Sequence, residues 1–109
     1  MYILTDEDVI SAIEKAHYSG VDVKIILDRE MDYNKDTFIS LISKGIDVKW
    51  SSEKYKTTHT KLMIIDNKTV VLGSPNFTYS GLTQNREVGI ITDCSVEPYL
   101  DVFVQDWGG

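Results

Sequence analysis

The order of patterns along these 109 residues predicts an α/β fold, a mixed sheet flanked by helices. Three observations carry that prediction. Two β-branched runs, residues 21–27 and 46–50, each follow a stretch with helical spacing, and that alternation belongs to parallel neighbours in a sheet. Two further apolar runs, residues 60–65 and 69–72, surround Asp66-Asn67-Lys68 and read as a tight hairpin. A helical pattern closes the chain after a last strand at residues 88–92.

Each element has its local reason. Residues 2–4 are short and apolar, as the end of a strand would be. Thr5 is placed to cap a helix, with Asp8 three positions on and Asp6, Glu7 and Asp8 in the first turn, where the helix dipole favours acids. Val9, Ala12, Ile13 and Ala16 recur at helical spacing, and Gly20 is the expected stop. Residues 21–27, Val-Asp-Val-Lys-Ile-Ile-Leu, suit a buried strand. Residues 28–34 are polar and read as a loop. Phe38, Ile39, Leu41 and Ile42 mark a second helix that ends at Gly45. Residues 46–50 alternate as a strand, and 51–58 form a polar loop. Gly73-Ser74-Pro75-Asn76 breaks the hairpin's second strand and opens a loop or helix start. Tyr79 to Leu82 continues that loop. Ser95 is placed to cap the final helix, with Pro98 tolerated in its first turn and Tyr99, Leu100, Phe103 and Trp107 on its apolar side.

Length and composition narrow the class. The chain, residues 1–109, is expected to be one domain, long enough for a modest core. An apolar fraction of 42% is ordinary for a globular protein. No apolar run reaches the roughly 18 residues of a membrane span, and the first residues lack the basic and apolar regions of a signal peptide. Cys94 stands alone, which excludes an internal disulfide and a cysteine-rich metal site. These features fit a cytoplasmic protein, and Cys94 itself is expected to be a small buried hydrophobe. The net charge of −6 argues against a nucleic-acid partner, but its distribution does not. Between residues 49 and 68 lie five lysines (49, 54, 56, 61, 68) against Glu53 and Asp66, whereas the rest of the chain has six basic and fifteen acidic residues. A local basic field can steer an anionic substrate to an otherwise acidic protein; a run of solvated lysines is the plainer alternative.

That basic stretch surrounds the residues with chemistry. His59 and Lys61 are two apart, so on a strand both side chains leave one face, while Leu62 and Ile64 can anchor the other. The hairpin returns Gly73-Ser74-x-Asn76 toward the strand end that carries His59. An imidazole, an ammonium, a hydroxyl and an amide are thereby gathered. Imidazole serves as nucleophile or general acid near neutral pH, and the other donors can hold the charge on non-bridging phosphate oxygens. Gly73 would let backbone approach a phosphate. Glu87, leading into the last strand, is the candidate to accept the His59 ring N–H and fix its tautomer. Asp66 is either a turn former or a member of the site. His17 is alone on its helix and reads as surface. Trp50, Tyr55 and Tyr79 are candidates to stack on bases, with core or loop packing the plainer reading.

His59-Thr60-Lys61-Leu62-Met63-Ile64-Ile65-Asp66, followed after six residues by Gly73-Ser74-Pro75-Asn76, resembles the phospholipase D superfamily through its signature H-x-K-x4-D-x6-G-S-x-N. Six defined positions at fixed spacing make this a specific match. Glu87 also stands where that family often keeps a Glu. Within the superfamily the chain looks most like small nuclease-like members with one motif per chain. The resemblance implies that His59 attacks phosphorus and forms a phosphohistidine. Lys61, Ser74 and Asn76 would bind the phosphate, with Asp66 supporting the site through hydrogen bonds. No metal or other cofactor is implied. A second His59 from a twofold-related chain would protonate the leaving group, which implies a homodimer with a shared site. Family members of this kind carry a further helix and strand before the segment matching Tyr2, about a quarter of the usual domain, so an N-terminally shortened version of the fold is expected.

Three functions compete. A nuclease acting on DNA or RNA accounts for the motif and the basic stretch. A phospholipase or phosphatidyl transferase would be expected to show an apolar interfacial patch or amphipathic anchor, and the sequence displays neither. A non-catalytic phosphate-binding or dimerisation module is the third.

Overall fold

A computed structural model describes residues 1–109. In chain order the elements are α1 (Glu7–Tyr18), β1 (Lys24–Leu27), α2 (Asn34–Ser43), β2 (Asp47–Trp50), β3 (Leu62–Ile65), β4 (Thr69–Gly73), α3 (Tyr79–Thr83), β5 (Gly89–Thr92) and α4 (Glu97–Gly108). The α/β order matches the pattern in the sequence, and the strands form a parallel and an antiparallel part. β1 and β2 pair in parallel, with Ile25 opposite Val48 and Leu27 opposite Trp50. β3, β4 and β5 form an antiparallel meander in that order.

Residues 1–5 join the two parts. On one side the Asp28 N–H bonds the Met1 carbonyl at 3.2 Å. On the other, the Phe77 N–H bonds the Ile3 carbonyl, the Thr5 N–H bonds the Phe77 carbonyl, and the Tyr2 N–H bonds the Thr60 carbonyl at 2.9 Å. The short apolar start of the chain therefore connects β1 to the backbone that flanks the hairpin, with one isolated parallel bridge, Leu4 to Phe77.

Helix ends follow local chemistry. α1 is capped by Asp6, not Thr5: the Asp6 carboxylate accepts the Val9 N–H at 3.0 Å. The Thr5 N–H is taken by the Phe77 carbonyl, and the helix starts one residue later than the sequence suggests. α1 and α2 stop where expected. Gly20 (φ +93°) and Gly45 (φ +80°) take the left-handed conformation. The N–H groups of Gly20 and Val21 reach the carbonyls of His17 and Ala16, and those of Gly45 and Ile46 reach Ile42 and Leu41. This is the Schellman arrangement, which pairs carbonyls that the helix itself leaves open.

Other expectations are corrected. Ser95 does not cap α4; it adopts φ +56° one residue before Val96, which holds the cap position without a side-chain bond. Residues 79–82, expected as loop, belong to the short helix α3, because the Thr78 hydroxyl accepts the Gly81 N–H and caps it. Cys94 is exposed rather than buried.

The core lies in the first half of the chain. Leu4, Leu27, Leu41, Ile46 and Val48 form its buried cluster, with Val9, Ile10, Ile13, Phe38, Trp50 and Phe77 packed around it. Leu27 and Leu41 are completely buried; each such side chain contributes about 1.5–3 kcal/mol. Trp50 stacks on Phe38, ring centroids 4.2 Å apart, so its ring is part of the packing and not a base platform. The meander is more open. Val70 is buried, but Met63, Ile65 and Ile91, on one of its faces, are exposed. No helix is long and apolar enough to cross a membrane.

Candidate active site

The backbone around His59 is pinned from both sides. The Thr58 N–H donates to Asp28 Oδ2 at 2.7 Å, and the Thr60 carbonyl accepts the Tyr2 N–H. Asp28 is completely buried, and its other oxygen takes the Glu30 N–H at 2.9 Å. β3 begins at Leu62, later than the strand expected from residue 60, so His59 and Lys61 lie just before it; their side chains still meet on one side. The Lys61 ammonium stands 2.8 Å from His59 Nδ1 and 3.1 Å from Nε2, and donates to the His59 carbonyl at 3.1 Å. Two similar ring distances set the ammonium against the imidazole rather than in line with one lone pair. Partial burial pushes the Lys61 ammonium below its ordinary value of 10.5, and the nearby Glu87 charge opposes that shift.

The other side of the cluster comes from the end of β4. Gly73 lies across from Gly89, where a Cβ would come within 2.4 Å of the Gly89 Cα. The glycine therefore lets two strands approach each other, a different reason from the phosphate approach expected of it. Ser74 Oγ donates to Glu87 Oε1 at 2.7 Å and accepts the Val88 N–H at 3.0 Å. This corrects the role given to Glu87: its carboxylate holds Ser74, with the Asn85 amide on its other oxygen at 3.2 Å, and not the His59 ring. The Ser74 hydrogen bond, seconded by Asn85 and by the Lys61 charge, keeps the Glu87 carboxyl below its ordinary 4.5.

Asn76 is held by its carbonyl end. Its Oδ1 accepts the Ile3 N–H at 3.3 Å, which leaves Nδ2 available as a donor. Lys61, Gly73 and Pro75 line one cleft of about 220 Å³, with Val71, Phe77 and Ile91 forming apolar walls. Asp66 does not join this group. It occupies the β3–β4 turn with φ +56°, next to Asn67 at +51°, the conformation that a type I′ turn needs at both centres. The four residues of β3 separate it from Lys61, five steps along the chain or roughly 16 Å.

The five lysines of the basic stretch divide in two. Lys49 donates to the Trp107 carbonyl at 2.8 Å, and Lys68 pairs with Asp93. Lys54 and Lys56 remain on the exposed loop that runs into His59, together with exposed Tyr55. No three His, Cys, Asp or Glu side chains gather in a position to hold a metal ion.

Sequence reasoning missed the residues that hold this site from behind. Asn34 is completely buried and makes three bonds: Nδ2 to the carbonyls of Tyr2 (2.8 Å) and Asp28 (3.1 Å), and Oδ1 from the Leu4 N–H (3.0 Å). The Tyr2 ring packs against His59. In the sequence Asn34 and Asp28 belong to a polar stretch indistinguishable from a solvated loop.

Comparison with known proteins bears on the family and the fold. The family described as "Cardiolipin synthase, PLD-like domain" matches residues 1–107. Among solved structures, the phospholipase D family member Nuc from Salmonella typhimurium superposes with a TM-score of 0.86 at 29% identity, over 98% of this chain and 74% of that one. NucT from Helicobacter pylori gives 0.84 at 28% identity, over 99% and 76%. Phospholipase D Y of Dictyostelium discoideum is 36% identical over 89 residues, 77% of this chain and 20% of that protein. The chain spans about half the length, or less, of the curated relatives it matches. With the motif, the α/β fold and the family match in agreement, the chain belongs to the phospholipase D superfamily.

Proposed function

We propose that this protein is a metal-independent phosphodiesterase acting on nucleic acid, with His59 as nucleophile. Superfamily members act on phosphodiester bonds, and the observation that carries the reading for this chain is the contact of Lys61 with the His59 imidazole at 2.8 Å. It joins a nucleophile to a cation that can take a non-bridging phosphate oxygen. Asn76 Nδ2 is a second free donor. Ser74 reaches a phosphate only by turning from Glu87, so Glu87 acts by holding that hydroxyl. Asp66 has a turn-forming role in this reading.

In the first step a His59 ring nitrogen attacks phosphorus. The N–P bond forms, the P–O bond to the leaving group breaks, and the leaving oxygen takes a proton from a second imidazolium. In the second step water attacks phosphorus, the N–P bond breaks, and the second imidazole accepts the water's proton. His17 lies on α1 and packs beside Gly45 and Tyr18, so it does not supply this second imidazole. The His59 of a second copy does, in a homodimer with the site at its twofold axis. The basic loop with Lys54, Lys56 and Tyr55 favours a polyanionic substrate. The single cysteine is consistent with a cytoplasmic site of action.

One observation favours a lipid substrate instead. Ile91 is exposed beside the Lys61 cleft on the face it shares with exposed Met63, an apolar patch that the sequence reading did not foresee. The test treats both substrates alike: purified protein in EDTA is given single- and double-stranded DNA, RNA, and vesicles containing cardiolipin. Strand cleavage that His59→Ala abolishes is expected. Headgroup release from vesicles with every nucleic acid intact would replace the nuclease reading with the lipid one. A protein that is monomeric while active would remove the shared site.

A further inference from the structure

Tyr2 has no role in the chemistry described so far, and its sequence context marks it only as the end of a strand. In the structure its ring touches both groups of the central pair. The Tyr2 and His59 ring centroids are 4.3 Å apart with the planes at 45°. The Lys61 ammonium stands 5.0 Å from the Tyr2 centroid, within the range of a cation–π contact. Imidazole, ammonium and phenol ring therefore form a closed triangle.

The backbone of Tyr2 is fixed more firmly than the groups its ring touches. Its N–H bonds the carbonyl of Thr60, the residue between His59 and Lys61. Its carbonyl accepts the amide of the completely buried Asn34. The next residue, Ile3, donates to Asn76. His59, in contrast, is exposed and is held by no carboxylate or carbonyl at its ring. An exposed imidazole with two free torsions visits several rotamers unless something packs against it. The Tyr2 ring is the packed surface that does so.

We propose that Tyr2 is a positioning residue for phosphoryl transfer, its ring setting the His59 imidazole and the Lys61 ammonium in the relative placement from which both engage one phosphate. The proposal rests on the phosphodiesterase reading. The role belongs to the aromatic face and not to the hydroxyl. Phenylalanine preserves that face; leucine removes both the ring-to-ring contact and the attraction for the cation.

The experiment compares wild type, Tyr2→Phe and Tyr2→Leu by the rate of phosphohistidine formation from a generic phosphodiester at saturating substrate. KM and the NMR signals of the His59 ring are measured alongside. Loss of near-attack geometry lowers the rate while binding persists, so Tyr2→Leu is expected to be about tenfold slower with KM within about twofold. Tyr2→Phe is expected to stay within about twofold of wild type. The His59 ring signals should carry the ring-current displacement of the adjacent aromatic ring in wild type and Tyr2→Phe, and lose it in Tyr2→Leu. If Tyr2→Leu does not fold, Tyr2→Met takes its place. An active wild type with equal rates in the phenylalanine and aliphatic variants overturns the proposal alone. A wild type that forms no phosphohistidine while its His59 signals remain displaced overturns the phosphodiesterase reading instead.

Discussion

The chain divides into a packed half and an open half, and they have different tasks. Residues 1–51 contain eleven of the thirteen buried residues; beyond Ser51 only Val70 and Gly81 are buried. The first half buries polar groups as well as apolar ones: Asp28, Asn34, Thr37 and Ser51 are all buried and hydrogen-bonded. The second half carries the motif residues on its surface and leaves Met63, Ile65 and Ile91 open to solvent. Rigidity and reactivity are thus separated in space. A nucleophile has to be accessible, so it gains its precision from a frame behind it. The links that reach the motif region are specific: Asp28 to Thr58, Tyr2 to Thr60, Ile3 to Asn76, and Ile3, Thr5 and Asp6 to Phe77.

If this division is right, substitutions of similar size have unequal costs in the two halves. Leu41→Ala is expected to cost about 2–5 kcal/mol in urea denaturation, because a completely buried side chain leaves a cavity. Ile91→Ser in the open face should stay within about 0.5 kcal/mol for the isolated chain. Equal costs would erase the contrast. Should a second copy cover that face, Ile91→Ser would instead weaken self-association, seen as a lower mass in sedimentation.

Asn34→Leu sharpens the comparison, because it strikes the frame through polar groups alone. It leaves the Leu4 N–H and the carbonyls of Tyr2 and Asp28 without their partner, in a site where each unpaired group costs about 1–3 kcal/mol. Lost stability should come with lost activity, since Tyr2 and Thr58 are held through the same residues. Full activity at reduced stability would show that the site does not depend on the frame.

A smaller effect concerns protons. The Glu87 carboxyl is held below 4.5 by its bond from Ser74. A depressed carboxylate favours the folded state fully above its unfolded value, and the benefit is lost as pH falls through the lower folded value. The Ser74–Glu87 contact should therefore survive acidification past 4.5. An NMR titration of the Glu87 carboxyl is expected to give a midpoint below 4.5, and Ser74→Ala should raise it. No change on Ser74→Ala would assign the shift to another cause. The smallest effect is expected at Asp66. Asp66→Gly suits the positive φ of the turn and should leave activity within about twofold and stability within about 0.5 kcal/mol. A tenfold loss of activity would return Asp66 to the site.

What the sequence reveals follows the range of the interactions. The Schellman stops at Gly20 and Gly45 and the hairpin at Asp66-Asn67 depend on neighbours within six residues, and all are legible. So are His59 and Lys61 on one side, because a period of two is a local property. Asn34 is not, since its partners lie up to 32 residues away and nothing in 28–34 announces burial. The pairing of Glu87 with Ser74 rather than His59 depends on where β5 meets β4, which the register sets and the spacing does not. Cys94 was expected inside on composition, but its place between β5 and α4 is a surface connection. Trp50 went the other way: a ring that could have served bases is absorbed by Phe38.

The account turns on whether the exposed imidazole of the open half is the nucleophile. The most direct measurement is to quench a reaction with a generic phosphodiester in EDTA and map the phosphate on the chain. The account predicts an acid-labile phosphate on a ring nitrogen of His59, formed at a rate that matches turnover and absent in His59→Ala, with hydrolysis reduced at least a thousandfold, on the order of losses seen when a nucleophile is removed. Turnover that continues in His59→Ala, or phosphate found on another residue, would contradict it.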